Sequence, residues 1–465
     1  MCAKELTVIN PWDESVSVTL PMITNEEADR VVARARAAFE GWRWSSPAER
    51  RALCEGFVRE FEALKEQTAA DITRQTGKPL SQSLGEVNGT LDRARHMIAI
   101  AEETLAEEYL PEKPCFVRYI RHEPLGVVLD IAAWNYPLLI AVNVVVPAVL
   151  AGNAVVIKHS SKTPLCAKAF VEAFRRAGAP DGLVQDVVAD HAVTDHLIRH
   201  PDVAFVSFTG SVRGGHEVVQ SAAGRFIGTG LELGGKDPAY VCADAPFDFS
   251  VENTMDGAFY NAGQSCCAVE RIYVERPIYD RFVEAFVEKT RAYRLGDPMD
   301  AATSIGPLAA KGQPAFLAGQ VADAVARGGR LVVDPASFDT PKQGWFYAPA
   351  VVADAPQDSA LMAEESFGPV IGILPVSGDE EAVRLMNDSP YGLTASIWTS
   401  DPERAARVGE RVETGTFFMN RCDFLDPALP WTGVKDTGRG ATLSRYGLLQ
   451  LTQLKSMHLR VELPK

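Results

Sequence analysis

Short apolar, β-branched runs alternate with stretches of helical periodicity along this chain, and the rhythm is clearest between residues 126 and 234. Runs at 127–131, 154–157, 184–188, 203–208 and 226–233 read as strands. Between the second and third, Ala169, Phe170, Ala173, Phe174 and Ala177 mark one face of a helix, and Gly178 supplies its stop. Strands separated by helices in this way predict a doubly wound, mostly parallel α/β sheet. After Gly235 a second α/β series begins, with helices expected at 249–261 and 279–293. Its strands are expected at 271–274, 370–375, 394–398 and 416–419. No repeat, low-complexity segment or long Gly/Ser linker interrupts the pattern.

The 465 residues are 46% hydrophobic and 23% charged, enough to bury a large core in two or three domains. A formal charge of -15 argues against nucleic acid or an anionic membrane as partner, since both call for basic patches, and points to small molecules. The first residues lack the apolar core of an export signal. The longest apolar stretch, 136–150, falls short of the ~20 residues of a membrane span and is broken by Pro137, Asn143 and Pro147. Eight scattered cysteines form no disulfide framework, so free thiols and a cytoplasmic location are expected. His196 and His200, four apart with His191 nearby, raise the question of a metal. With no Glu between them and no cysteine close by, a polar helix face and no metal site are expected.

Candidate chemistry centres on Cys266, thirty-four positions after Glu232. Each stands in a glycine-containing turn, Asn261-Ala262-Gly263-Gln264-Ser265-Cys266-Cys267 and Leu231-Glu232-Leu233-Gly234-Gly235-Lys236. A thiol of ordinary pKa ~8.5 is only a few per cent thiolate at neutral pH, so a nucleophilic one needs dipoles or cations beside it, and a tight turn can aim backbone N–H groups at the sulfur. The usual Gly-x-Gly-x-x-Gly dinucleotide fingerprint is missing. Instead Val206-Ser207-Phe208 runs into Thr209-Gly210-Ser211 and a helix through Val218 and Val219, a strand, turn and helix N-terminus able to hold a pyrophosphate.

With Ala133-Trp134-Asn135-Tyr136-Pro137, Gly152 to Lys158, Phe208-Thr209-Gly210-Ser211, Leu231 to Lys236, Gly263 to Cys266, Glu364-Glu365-Ser366-Phe367-Gly368-Pro369 and Gly438-Arg439 in this order, the chain resembles the aldehyde dehydrogenase superfamily. The resemblance implies Cys266 as the nucleophile that forms a thiohemiacetal, Asn135 as the oxyanion-hole amide, and Glu232 as the base that hydrolyses the thioester. It implies a NAD or NADP site with Lys158 on the adenine ribose, Gly210 and Ser211 on the pyrophosphate, Glu365 on the nicotinamide ribose, and Phe367 and Trp134 beside the ring. Strongly NAD-preferring members often carry a glutamate three positions after Lys158; here Ser161 stands there, which opens the site to NADP. Glu232 favours hydrolysis over transfer to coenzyme A, since acylating relatives generally lack that residue. The set Cys266, Glu232, Asn135 and Lys158 argues against an inactive binding or structural member.

The resemblance further implies a dinucleotide-binding domain of residues 1–106 and 124–234, a catalytic domain of 235–436, and oligomerisation strands within 107–123 and 444–465. A homodimer or homotetramer is expected. Tyr136, Ile140, Asn143, Tyr260, Leu425 and Trp431 are expected to line the substrate tunnel. Asn143 falls where succinate-semialdehyde enzymes carry an arginine, so a carboxylated substrate loses that partner. Tyr136, Tyr260 and Trp431, with Asp256 and Asp423 near the mouth, suit an amino aldehyde through cation–π contact, or equally an aromatic aldehyde. The family's Pro-Phe-Gly-Gly is replaced by Pro430-Trp431-Thr432-Gly433, and Cys267 directly follows the nucleophile.

Overall fold

A computed structural model describes residues 4–463, so Met1 to Ala3 of the expected first domain and Pro464 and Lys465 of the expected C-terminal strand lie outside the described residues. Two parallel-rich sheets dominate the fold. The first has six strands in the order Gly438–Arg439, Gly228–Glu232, Val203–Thr209, Val127–Ala132, Ala154–His159 and Val184–Asp186. All its pairs are parallel except the short Gly438–Arg439 edge, which runs antiparallel to Gly228–Glu232. The chain builds from Val127–Ala132 outward to one side, then returns to add Val203–Thr209 and Gly228–Glu232 on the other. Such a reversal opens a crevice at the carboxyl ends of the strands, the usual ligand position in doubly wound sheets.

The second sheet has seven strands, in the order Arg330–Val333, Ala350–Ala353, Val370–Val376, Val269–Glu275, Asp237–Val241, Thr394–Trp398 and Thr416–Met419. Only the Arg330–Val333 edge is antiparallel. Each sheet has its own buried apolar cluster, one formed with the helices between Asn25 and Ala222 and one with those from Phe247 onward. A third sheet, Thr452–Arg460, Phe116–Pro124 and Glu108–Tyr109, is antiparallel and half-exposed.

The apolar stretch at 136–150 folds as the helix Pro137–Leu150, buried on nearly every side. Proline suits its first turn because the missing N–H is one the helix cannot use. Among the described residues no helix is long and apolar enough to cross a membrane.

Several elements end elsewhere than the pattern suggested. The 226–233 run yields only Gly228–Glu232, with Phe226 exposed, and 184–188 yields Val184–Asp186. Residues 444–449, expected within an edge strand, form the helix Ser444–Leu449, and Leu448 joins the first core; the strand starts at Thr452. An apolar side chain that can reach a large core outweighs local alternation. His196 and His200 both face Asp29, at 2.6 and 3.7 Å, which gives these imidazoles a carboxylate partner on the helix Asn25–Trp42.

Candidate active site

A cavity of about 390 Å³ opens between the two sheets, walled by the helices Leu80–Thr104, Pro137–Leu150 and Phe247–Phe259 and by the loop around Asp423. Asn135, Glu232 and Cys266 all reach it, as do Tyr136, Ile140, Asn143, Tyr260, Leu425 and Trp431. Asn135 follows the strand Val127–Ala132 and Glu232 ends Gly228–Glu232, so both lie at carboxyl ends of the first sheet.

Cys266 is delivered by a strained turn. The helix Phe247–Phe259 passes into Tyr260–Gly263, where Asn261 and Ala262 adopt φ of 53° and 55°, a left-handed backbone that disfavours side chains other than glycine. The turn is over-determined by hydrogen bonds. Asn261 donates from Nδ2 to the Gln264 carbonyl at 3.0 Å and to the Asn135 carbonyl at 3.3 Å, while Gln264 Oε1 accepts from Ala309 N at 2.9 Å. A Cβ on Gly235 would lie 2.5 Å from the Cys266 carbonyl oxygen, and one on Gly234 would lie 2.5 Å from the Glu365 carboxylate. The glycine pair is therefore what lets the two sheets close around the thiol.

The two adjacent thiols differ. Both border the cavity, but Cys266 is only half-buried, whereas Cys267 is buried, with Sγ donating to Asp423 Oδ1 at 3.0 Å. Ser265 Oγ donates to the same oxygen at 2.9 Å. Contact with the Cys266 thiol first, and then burial, pushes the Cys267 thiol well above its ordinary range. Burial also raises Asp423, to about 6.

Glu232 is held by two hydroxyls, accepting from Thr442 Oγ1 at 2.5 Å and from Thr209 Oγ1 at 3.3 Å. Its carboxyl is pushed up by burial, and the two hydroxyls and the Arg93 charge only partly offset this. A carboxylate so raised is better suited to accept a proton near neutral pH. Thr442 also exchanges backbone hydrogen bonds with Trp431 at 2.8 and 2.9 Å, so one residue holds both the Glu232 carboxylate and the Trp431 wall of the cavity.

The carbonyl of Asn135 accepts from Lys78 Nζ at 2.7 Å, and Lys78 is itself paired with Glu86 in a fully buried ion pair. Glu86 accepts from Leu138 N at 2.9 Å, and Lys78 lies 4.1 Å from the Tyr136 ring centroid. This pair clamps the Asn135-Tyr136-Pro137 turn and leaves the Asn135 side-chain amide free of any hydrogen bond among the described residues. Sequence reading missed Lys78 and Glu86. Their signal was a lysine and a glutamate eight apart at the start of a partly apolar helix, too common a pattern to single out.

None of the cofactor candidates lines this cavity. Ser211 caps the helix Val212–Ala222 by accepting from Gly214 N at 3.2 Å, so the positive end of that helix faces outward beside Gly210. Lys158, at the end of Ala154–His159, has no carboxylate within salt-bridge reach among the described residues, and burial lowers its pKa. His159 is buried with both ring nitrogens unpartnered and is held neutral by burial, its pKa down at about 3. Ser161 is exposed. The Trp134 and Phe367 rings meet edge-on at 5.5 Å. Lys162, close to Ser161 in sequence, donates to the Ala309 carbonyl at 2.5 Å. A free cationic side chain, an open helix N-terminus and two facing aromatic rings fit the parts of a nicotinamide dinucleotide.

Glu365 accepts from Gly235 N at 3.0 Å, and burial raises its carboxyl to about 7. Its neighbours Ser366 and Phe367 are positioned by Glu270, which accepts both their N–H groups at 2.8 and 2.9 Å and pairs with Lys236 at 2.6 Å.

A family model described as the aldehyde dehydrogenase family matches residues 2–457. The chain belongs to that family. It is 36% identical over 456 residues, covering 97% of this chain and 99% of the relative, to a protein of Mycobacterium tuberculosis named succinate-semialdehyde dehydrogenase [NADP(+)] 1. A Mycobacterium avium relative named succinate-semialdehyde dehydrogenase [NADP(+)] is 35% identical, covering 97% of this chain and 96% of its own length. Among aldehyde dehydrogenase structures, a betaine aldehyde dehydrogenase of Staphylococcus aureus in complex with NAD+ superposes with a TM-score of 0.94 at 30% identity, covering 99% of this chain and 92% of that one. An NAD-dependent aldehyde dehydrogenase of Sinorhizobium meliloti gives 0.95 at 31%, with the same coverage.

Proposed function

We propose that this enzyme oxidises an aldehyde to a carboxylic acid with NAD(P), through a thiohemiacetal and then a thioester on Cys266. The observation that carries the reading is the convergence of Cys266, Glu232 and Asn135 on one cavity. The Cys266 thiolate attacks the aldehyde carbon, and the resulting oxyanion is held by the Asn135 amide and the Cys266 backbone N–H. A bound nicotinamide supplies the acceptor for the hydride that leaves this carbon. Glu232 then takes a proton from water as the water attacks the thioester carbon. Collapse of that adduct breaks the C–S bond, returns the thiolate and releases the acid.

The hydroxyl cradle around Glu232 supports hydrolysis over acyl transfer to coenzyme A. Ser161, exposed and uncharged where an acid would repel a 2′-phosphate, supports use of NADP, with NAD also accepted. The experiment is to follow reduced nicotinamide with a short aldehyde, with and without coenzyme A. Turnover should be independent of coenzyme A, fall to background in Cys266→Ala with cofactor still bound, and survive largely in Cys267→Ala. Strict dependence on coenzyme A, or loss of activity that tracks Cys267, would count against the reading.

The same reading includes a homo-oligomer joined through the third sheet. The strand Thr452–Arg460 leaves an edge free, and Leu454 and Leu459 on it are exposed; such an edge calls for pairing or cover. Light scattering on the purified protein tests this, and a monomer would exclude it.

A further inference from the structure

Arg93 was not foreseen from sequence, and its surroundings call for a ligand. It stands on the helix Leu80–Thr104, is 9% exposed, and borders the cavity. Nη1 donates to the Leu139 carbonyl at 3.0 Å and to Asn143 Oδ1 at 3.2 Å. Nε and Nη2 make no hydrogen bond to the described residues, yet neither is sealed off inside the protein. No carboxylate comes within salt-bridge reach of it among the described residues. The nearby charges are Glu232, the Cys266 and Cys267 thiols, and Glu86, which Lys78 already neutralises. A buried cation with open donors facing a cavity is costly unless an anion meets it there.

The helix is shaped to present this group. A helical side chain leans back over the turn before it, so Arg93 lies above residue 89 and, one turn further, residue 85. Both are glycine and both border the cavity. Glycine inside a helix is destabilising by roughly 0.5–1 kcal/mol relative to alanine, so two on one stripe call for a reason. A Cβ at Gly89 would meet Leu139 at 3.2 Å, on the same helix that supplies both of the guanidinium's acceptors. The cation thus reaches the cavity from a different helix than position 143, and Asn143 serves as its holder.

We propose that Arg93 binds the carboxylate of the substrate, and that the preferred substrates are short aldehydes bearing a carboxylate at the far end of the chain. The proposal rests on the aldehyde oxidation argued above, and it displaces amino and aromatic aldehydes as the favoured class. The acids that suggested a cationic substrate are less effective counter-charges. Asp256 is exposed at the mouth and screened by solvent. Asp423 is already engaged by Ser265 and Cys267.

The test compares kcat/KM for succinic and glutaric semialdehydes with that for butanal and pentanal, in the parent, Arg93→Met and Arg93→Lys. The parent should favour a semialdehyde over its neutral counterpart. Arg93→Met should lose about 10- to 100-fold more on the semialdehydes than on the neutral aldehydes, the excess falling mainly in KM, the scale of a charge-assisted hydrogen-bonded pair, while both classes share any smaller loss in kcat from removing the charge near Glu232. Arg93→Lys should recover part of the loss. Succinate or glutarate should compete with butanal in the parent and not in Arg93→Met, a readout that needs no turnover of a semialdehyde. Equal losses on charged and neutral aldehydes would assign Arg93 to electrostatic support of Glu232 and overturn the proposal, as would a parent that prefers 4-aminobutanal or benzaldehyde. A parent that oxidises no aldehyde at all would instead remove the underlying function.

Discussion

The reactive end of the cavity and the walls that choose its ligands are built on different principles. At the reactive end, each group stands at a backbone turn or strand end that other residues pin: Cys266 after a left-handed turn, Asn135 on a turn clamped by Lys78, and Glu232 at a strand end between two hydroxyls. On the walls, the groups proposed to set selectivity are individual side chains, Arg93 from a helix and Ser161 from an exposed loop. Chemistry common to all aldehydes demands fixed atoms. Choice among aldehydes and cofactors needs only a charge gained or lost at the periphery.

This contrast predicts that changes at the reactive end act on every substrate alike, whereas changes on the walls alter ratios. The largest effect belongs to Glu232→Gln, which should slow turnover by roughly 10²–10⁴-fold through loss of general-base catalysis. The loss should be the same on charged and neutral aldehydes, and an acyl-enzyme should accumulate to a level visible by intact-mass spectrometry. A loss confined to one aldehyde class would erase the distinction between the two regions.

Next in size is a pH effect on cofactor binding. Burial raises the Glu365 carboxyl to about 7, and a carboxylate accepting from a ribose hydroxyl must be ionised. Cofactor affinity should therefore be full above pH 7 and weaken as pH falls through it, by about tenfold for each further unit. Titration by fluorescence quenching checks this, and Glu365→Gln should flatten the profile. A profile unchanged in Glu365→Gln would remove this residue from the cofactor's surroundings.

The smallest change should come from Ser161→Glu. A carboxylate beside a 2′-phosphate of about -1.5 to -2 charges should move the NADP/NAD ratio of kcat/KM by about tenfold toward NAD, with the aldehyde ranking unmoved. A ratio that stays put would show that this wall does not meet the adenosine.

Legibility followed the same division. The parallel sheets could be read because each strand is a local run, and the turns around Cys266 and Glu232 could be read because glycine is required where backbones approach as closely as Gly235 and Cys266 do. The C-terminal segment was harder. The range 444–465 was expected to supply an oligomerisation strand, but its first residues, 444–449, form a helix whose Leu448 reaches the first core, and no local rule anticipates that contact. Lys78 and Glu86 were invisible for a related reason: a lysine in the short connection between two helices is ordinarily solvated, and only burial reveals it as a clamp on Asn135.

By itself, then, the sequence determined the two α/β series and singled out Cys266 and Glu232 as the candidate nucleophile and base and Ser161 as the candidate selector of cofactor, because each depends on residue type at a fixed backbone position. Only the tertiary structure decided that Cys267 is buried against Asp423 while Cys266 stays half-buried, what holds Glu232, and that a guanidinium from the helix Leu80–Thr104 lies against Asn143. Those outcomes arise where elements far apart in the chain pack together, and the energy of a buried charge depends on neighbours that one-dimensional spacing does not contain.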